Sequence, residues 1–436
     1  MAWAGGVWNA TYGVSTDGIG MGMQIYYDKK FLSRVSENLF MEQFAQKRPI
    51  PQGGGKQIRF FRYHDIPTLT STLTEGTNPD PTTVTGHELT RTLEEWGGFS
   101  QHSSLISRTH IDRGLSNLSE LWGDNAGRTR ELRILKEVVT NGCHTIRADN
   151  ANTGGIASGV KGGLQVGATS TSTTTVIYSA TAALTNDLMI GGHITFTSGK
   201  NYGQSRYISD NASAAAESTI TVTLPFENAP AAGDTFIVSS PAWSNATTMA
   251  ADAMDTSDVI THKTMTKLWE RLKSTKAAPF SGGYYTFIIG PTVHAGFLSD
   301  GTWIGLQQYT PGQSSKLYNG EIGKYMGFRI VTTTMPFRCT LPTTVTTGGP
   351  GQTNTTWSTS GANYSETGTG HYSLGFGQEA FGVTMLQGLG PKIIVKNPGP
   401  NDTSNPLNRF STVGWELPMV PVALNALWCV AVVSGA

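Results

Sequence analysis

Three cysteines in 436 residues, Cys143, Cys339 and Cys429, are few, odd in number and far apart. They fit no metal-ligand spacing and no disulfide framework, so the expectation is a chain that folds in a reducing compartment. Charge is also scarce: Asp, Glu, Lys and Arg make up 14% of the residues, against about 25% in an average soluble protein. The 31 basic and 31 acidic residues cancel, which argues against a protein whose main task is to grip a nucleic-acid backbone. No apolar run approaches the roughly 18 residues of a membrane span. The longest, Val420 to Val433, is interrupted by Pro421 and Asn425 and reads as one or two buried strands. The opening MAWAGGVWNATYG has neither the basic start nor the apolar core of a signal peptide. The Asn-x-Thr triplets at Asn9 and Asn354 therefore read as chance products of a Thr-rich chain.

What is abundant is glycine, 52 residues or about 12% of the chain, where about 7% is usual. With Thr and Ser, this is the composition of an extended, β-rich protein whose polar surface faces other subunits. Residues 1–48 form a Gly-rich arm ending in a predicted helix from Ile25 to Phe44. Gln57 to Tyr63 (QIRFFRY) and Leu89 to Trp96 have strand character on either side of a Thr/Pro/Gly-rich centre. Such a two-stranded ribbon is barely stable alone, and Phe60, Phe61, Leu93 and Trp96 fall on both of its faces. From Leu118 to Ile146 the period changes: Leu118, Leu121, Trp122, Leu132, Leu135, Val139 and Ile146 recur at helical spacing. Arg128, Arg130, Arg133, Lys136 and Glu137 occupy the other face, and Gly123 and Gly127 predict irregular first turns. Residues 163–241 alternate in twos (HITFT, TITVTL, DTFIV) between short turns, which predicts a small β-barrel or sandwich. Beyond it, Thr256 or Ser257 caps a helix to Lys276 with Ile260, Leu268, Trp269 and Leu272 inward, and Pro291 opens a short one. Strands follow at Tyr284–Ile289, Ile322–Thr332, Tyr372–Leu386, Lys392–Val395 and Val413–Val433. The fold class is α+β, assembled from segregated parts.

The motifs of chemistry are not met. Gly54-Gly55-Lys56 lacks the first glycine and the Ser/Thr of a phosphate-binding loop. Gly375-x-Gly377-x-x-Ala380 runs into strand and turn where a dinucleotide fingerprint needs a helix. His87-Glu88 has no second histidine at metalloprotease spacing, and nothing brings Glu94-Glu95 to Asp402 as a carboxylate pair. No catalytic, metal or cofactor-binding residue is assigned, and no histidine or cysteine is expected to matter for assembly. Arg59, Arg62 and Arg91, interleaved with Phe and Tyr, have the look of nucleic-acid contacts. Because the ribbon also carries Glu88, Glu94 and Glu95, salt bridges to an adjacent subunit are the reading carried forward.

Several patterns in fixed order give the chain a likeness. They are Gly54-Gly55-Lys56-Gln57-Ile58-Arg59-Phe60-Phe61-Arg62-Tyr63 followed by Leu73-Thr74-Glu75-Gly76, then Leu93 to Phe99 with its Trp96-Gly97-Gly98-Phe99 turn. Gly320-Glu321-Ile322-Gly323 with Gly327-Phe328-Arg329 follows, then Gly377-Gln378-Glu379-Ala380-Phe381-Gly382. Pro406-Leu407, Val413-Gly414-Trp415 and Leu424-Asn425 complete the set. From about residue 25 to the C-terminus the chain resembles the major capsid proteins similar to that of podovirus N-four, which share the Hong Kong 97 capsid fold.

The resemblance implies an N-terminal arm (1–48), an extended β-hairpin loop (49–103) and a peripheral domain with a long spine helix (104–162). It implies an axial domain (242–400) and C-terminal strands returning to the peripheral domain (401–436). The inserted β domain (163–241) departs from the simplest family pattern. The function implied is a shell subunit, assembling into pentamers and hexamers around a phage double-stranded DNA genome, and not an enzyme. Partners implied are other copies, a separate scaffolding protein (no acidic helical pro-segment opens the chain), a portal, a decoration protein, and packaged DNA by weak non-specific contact. No membrane and no cofactor are implied, and the expected location is the virion, after assembly in the host bacterial cytoplasm. Inter-subunit contacts are expected at Trp3, Trp8, Arg59, Phe60, Phe61, Arg62, Glu94, Glu95 and Trp96. The alternatives are an encapsulin-like nanocompartment shell and a β-rich tail or fibre protein.

Overall fold

The computed structural model describes residues 40–63, 86–103, 114–148, 160–180, 192–239 except 215, 243–245, 250–251, 258–299, 324–333, 337–339, 345–346, 349–350, 370–396 except 389, and 409–435, with single positions and pairs between 66 and 84 and at 184 and 189. The helix expected from Ile25 lies outside these residues except at its end, where Met41–Phe44 form one 3₁₀ turn. The architecture is α+β. The chain divides into two compact units, Met1–Ile58 with Arg91–Leu135 and Val383–Pro421, and Arg59–Thr90 with Lys136–Gly382 and Val422–Ala436.

In the first unit a five-stranded sheet runs Gln46–Lys47, Phe381–Met385, Phe410–Ala423 and Lys392–Lys396, with Glu94–Ser103 also paired to the long Phe410–Ala423 strand. That strand is the spine of the sheet: it pairs with Phe410↔Ser103 through Met419↔Glu94 on one edge and Lys392↔Glu416 through Lys396↔Thr412 on the other. Its odd residues Val413, Trp415, Leu417 and Met419 are buried, as alternation in a sheet with one covered face requires.

The long helix covers that face. It runs without a break from Gly114 to Asn141, so the glycines do not disturb its first turns. Gly123, Ala126 and Gly127 are instead buried, a strip of small residues that lets the sheet approach. The Trp122 indole donates to Ser100 Oγ at 3.0 Å, and Trp415 donates to Asn125 Oδ1 at 3.2 Å. A Cβ on Gly98 would stand 3.0 Å from the Trp122 ring. Two sequence expectations are corrected here. Leu121 is 64% exposed, and Arg130 is buried, because Arg130 finds Glu42 across the interface.

The second unit holds a closed barrel and a mixed sheet. The six barrel strands follow the order Val160–Gln165, Thr235–Ser239, His193–Phe196, Ser205–Ala212, Ser218–Val222 and Val176–Ser179. Gly167 N donates to Tyr178 O and Ala180 N to Gln165 O, each at 2.8 Å, which joins last strand to first. Closure removes the sheet edges, and alternate residues Ile194, Phe196, Ile208, Ile220, Phe236 and Val238 fill the interior. Phe196 and Phe226 meet edge to face, 4.9 Å between centroids.

The mixed sheet orders Lys324–Tyr325, Phe328–Thr332, Tyr285–Ile289, Gly370–Phe376, Cys429–Ser434 and His144–Arg147, with Phe337–Cys339 beside Gly370–Phe376. The last turn expected of the long helix is thus a strand: His144–Arg147 pairs parallel with Cys429–Ser434. The helix His262–Ser274 lies on the sheet through Met265, Leu268 and Leu272. Its N-cap is Thr261, in a capping box with Thr264, five residues later than Thr256 and four later than Ser257. Trp269, expected inward, is 39% exposed. Pro291 does open a short helix, Pro291–Leu298, where its missing N–H is no loss.

Candidate assembly surfaces

The ribbon strands Gln57–Tyr63 and Gly86–Thr92 pair as a two-stranded sheet. Alternation divides the first of them cleanly. Phe60 is buried at 6% exposure, whereas Phe61 and Tyr63 are 66% and 75% exposed. Arg59 shares the exposed row and reaches Glu88 at only 3.6 Å, a solvated pair of little strength. Arg62, on the other face, lies over the rings of Tyr202 and Trp428, 4.9 and 5.7 Å from their centroids. The expected contact residues of the ribbon therefore separate: Arg59 and Phe61 point outward with Tyr63, while Phe60 and Arg62 are engaged within their own chain. Trp3 and Trp8 lie outside the described residues.

The sheet of the first unit offers a second surface. Trp96 sits on its covered face, beneath the Arg133 guanidinium at 3.6 Å, and Glu94 and Glu95 are exposed. On the uncovered face, register and alternation set out three rows. Gly97, Glu416 and Lys392 form one; Phe99, Gly414 and Ile394 the next; Gln101, Thr412 and Lys396 the third. Phe99 is 72% exposed and leans over Gly414, where a Cβ would meet that of Phe99 at 2.6 Å. Two glycines between larger side chains leave a groove of about 560 Å³, bounded by Glu95, Phe99, Ile394, Lys396 and Glu416. Of its lining, Glu95 and Trp96 were expected as contacts from sequence; the alternation Glu95, Gly97, Phe99 is the signal that points to the rest.

Where the chain enters the first unit, charge is buried. Glu131, 2% exposed, accepts from Met41 N at 2.9 and 3.1 Å and from Phe40 N at 3.1 Å. Arg130 pairs with Glu42 at 2.6 Å, both nearly enclosed, and Lys47 reaches the same Glu42 at 2.9 Å. Burial raises the Glu131 carboxyl to about 7, against the pull of those N–H donors and with Glu42 adding to the rise.

In the second unit a polar knot ties the barrel to the end of the long helix. His193 Nε2 donates to Val139 O at 2.7 Å and its Nδ1 accepts from Thr145 Oγ1 at 2.8 Å, a pattern that needs the neutral ring. Ser205 Oγ donates to Cys143 O and Thr145 N to Ser239 Oγ. Burial lowers His193 to about 4 and His144 to about 3, Arg271 adding to the latter. Among the described residues no three His, Cys, Asp or Glu side chains are grouped to hold a metal ion, and no helix is long and apolar enough to cross a membrane.

No protein-family profile and no curated protein matches the chain. Solved structures to which it is similar include the capsid of the cyanophage P-SCSP1u, at 12% identity and TM-score 0.46, covering 90% of this chain and 87% of that one. The mature capsid of bacteriophage PhiM1 is similar at 9% identity and TM-score 0.47, over 90% of this chain and 86% of that one. A virus-like particle from Pyrococcus furiosus is similar at 9% identity and TM-score 0.39, over 93% of this chain and 99% of that one.

Proposed function

We propose that the chain is a shell subunit, the major capsid protein of a tailed double-stranded-DNA phage with the Hong Kong 97 capsid fold. It assembles into pentamers and hexamers that enclose the genome, and it performs no catalysis. The observation that supports this reading is that one chain carries two different surfaces whose side-chain rows repeat every two residues, the ribbon row Arg59, Phe61, Tyr63 and the sheet rows around Phe99. The row Arg59, Phe61, Tyr63 repeats every two residues, about 7 Å apart. The sheet rows Gly97/Glu416, Phe99/Gly414 and Gln101/Thr412 have the same spacing. In that register Arg59 meets Glu416, Phe61 enters the Gly414 notch beside Phe99, and the Tyr63 hydroxyl meets Thr412 or Gln101. Two unlike surfaces that fit make a heterologous contact, which closes into rings when the rotation permits.

The sequence likeness to the N-four-like capsid proteins supports the same reading and its domain plan: arm 1–48, extended loop 49–103, peripheral domain 104–162, inserted domain 163–241, axial domain 242–400 and returning strands 401–436. A scaffolding protein, a portal and a decoration protein are the partners it brings. The balanced charge suits a container that holds DNA by weak non-specific contact and then releases it.

The test is negative-stain microscopy of the protein expressed with its neighbouring phage genes. Closed shells or five- and six-membered rings are expected. Elongated trimers would replace the reading by a tail or fibre protein, and a monomer that never assembles would end it.

A further inference from the structure

We propose that Glu131 is a proton-controlled latch fastening the segment Phe40–Lys47, the root of the N-terminal arm, to the long helix. This rests on the first unit alone and holds whether or not the chain builds shells.

The carboxylate of Glu131 is the acceptor for two successive backbone N–H groups of the arm root. Without it Phe40 and Met41 would lose their partner in a buried place, where an unsatisfied donor is costly. Two buried carboxylates, Glu131 and Glu42, face one buried guanidinium, Arg130, whose second contact is the Met385 sulfur at 3.1 Å. Lys47, half in solvent, answers Glu42. These are the charged groups that face the latch: Glu42 and Lys47 from the arm root, Arg130 from the helix, and none from the Phe381–Met385 strand, which offers only the thioether. With every group ionised the enclosed part of the cluster carries one negative charge too many; protonating Glu131 removes it. The titration near 7 places that change within the ordinary range of cell and buffer pH.

The sign follows from linkage. Glu131 has its carboxyl raised in the closed latch and returns to about 4.5 once the segment lifts and water reaches it. Closure is therefore favoured below about 4.5 and progressively weakened as pH rises to about 7, beyond which nothing further is lost. Two and a half pH units correspond to roughly a 300-fold change in the opening equilibrium.

Hydrogen–deuterium exchange of the full chain from pH 5 to pH 8, corrected for the intrinsic base-catalysed rate, reads this directly at the Phe40 and Met41 amides. Over that window their protection should fall by roughly 70-fold while the barrel amides stay level. In Glu131→Gln, which keeps an acceptor oxygen but cannot titrate, protection should be independent of pH. In Glu42→Gln, Arg130 turns to Glu131, and the fall should move to lower pH. Flat protection in the wild type, an equal fall in Glu131→Gln, or an unmoved midpoint in Glu42→Gln would each overturn the latch.

Discussion

At the scale of single residues, the informative side chains are polar ones that burial has forced into fixed roles. Arg130 and Glu42 are nearly enclosed and 2.6 Å apart; such a pair adds little over an apolar one, but removing Arg130 takes the buried cation from between Glu42 and Glu131 and leaves Glu42 only the half-exposed Lys47. Arg130→Ala is expected to cost about 3–5 kcal/mol, measured by denaturant unfolding of the isolated chain. His193 makes the opposite kind of prediction. Its pKa is about 4 in the fold and near 6.5 unfolded, so the unfolded chain takes up the proton first. Stability should be level above pH 6.5 and fall as pH drops towards 4, by at most about 3 kcal/mol, with His144 adding to the fall. His193→Gln should flatten that slope; a wild-type curve unchanged between pH 7 and 4.5 would contradict it. Nothing in the sequence singles out either histidine: each reads as one of nine scattered surface or satisfied core residues until the barrel and helix end enclose them.

At the scale of elements, the meeting of the long helix with its sheet depends on what is missing from both surfaces. Gly123, Ala126 and Gly127 on the helix and Gly98 on the strand bring the backbones close enough for Trp122 and Trp415 to reach their partners. Gly98→Leu places a side chain where the Trp122 ring already stands. Overpacking of this kind should destabilise by about 1–3 kcal/mol, visible as a lower denaturant midpoint with little change in slope. The same residues explain why the amphipathic pattern was only partly legible. A helix that packs through glycine and alanine and buries an arginine and a glutamate has no continuous apolar stripe, so Leu121, counted as inward, is outside. The barrel, by contrast, was plain in sequence, because a small closed barrel demands strict alternation and HITFT, TITVTL and DTFIV supply it.

At the scale of the whole molecule, the proposed assembly contact joins surfaces about 35–40 residues apart in sequence at one side and more than 300 at the other, Phe61 with Phe99 and Gly414. A Phe61→Cys/Phe99→Cys double variant in a Cys339→Ser background, oxidised after assembly, should give a ladder of covalent oligomers on a non-reducing gel; Cys143 and Cys429 are buried and should not contribute. A bond formed only within one chain, or none in shells of normal appearance, would remove this contact while leaving the shell reading to microscopy. Phe61→Asp should abolish assembly at a cost to monomer stability within about 0.5 kcal/mol, as for an exposed site. Phe60→Asp is the poorer test, because Phe60 is buried and its loss disturbs the ribbon itself.

Local pattern in the sequence determined the α+β class, the ribbon, the long helix, the barrel strands and the likeness to a capsid family, because each rests on periodicity or on short ordered motifs. Tertiary structure decided which face of the ribbon points outward, where the helix stops, and which charges are buried. It also decided that Gly97, Phe99, Gly414 and Glu416 share one surface. Those outcomes depend on register between strands far apart in the chain, and a one-residue slip would turn every one of these side chains to the other face. No window of sequence contains that information; the pairing of Phe410–Ala423 with its two neighbours does.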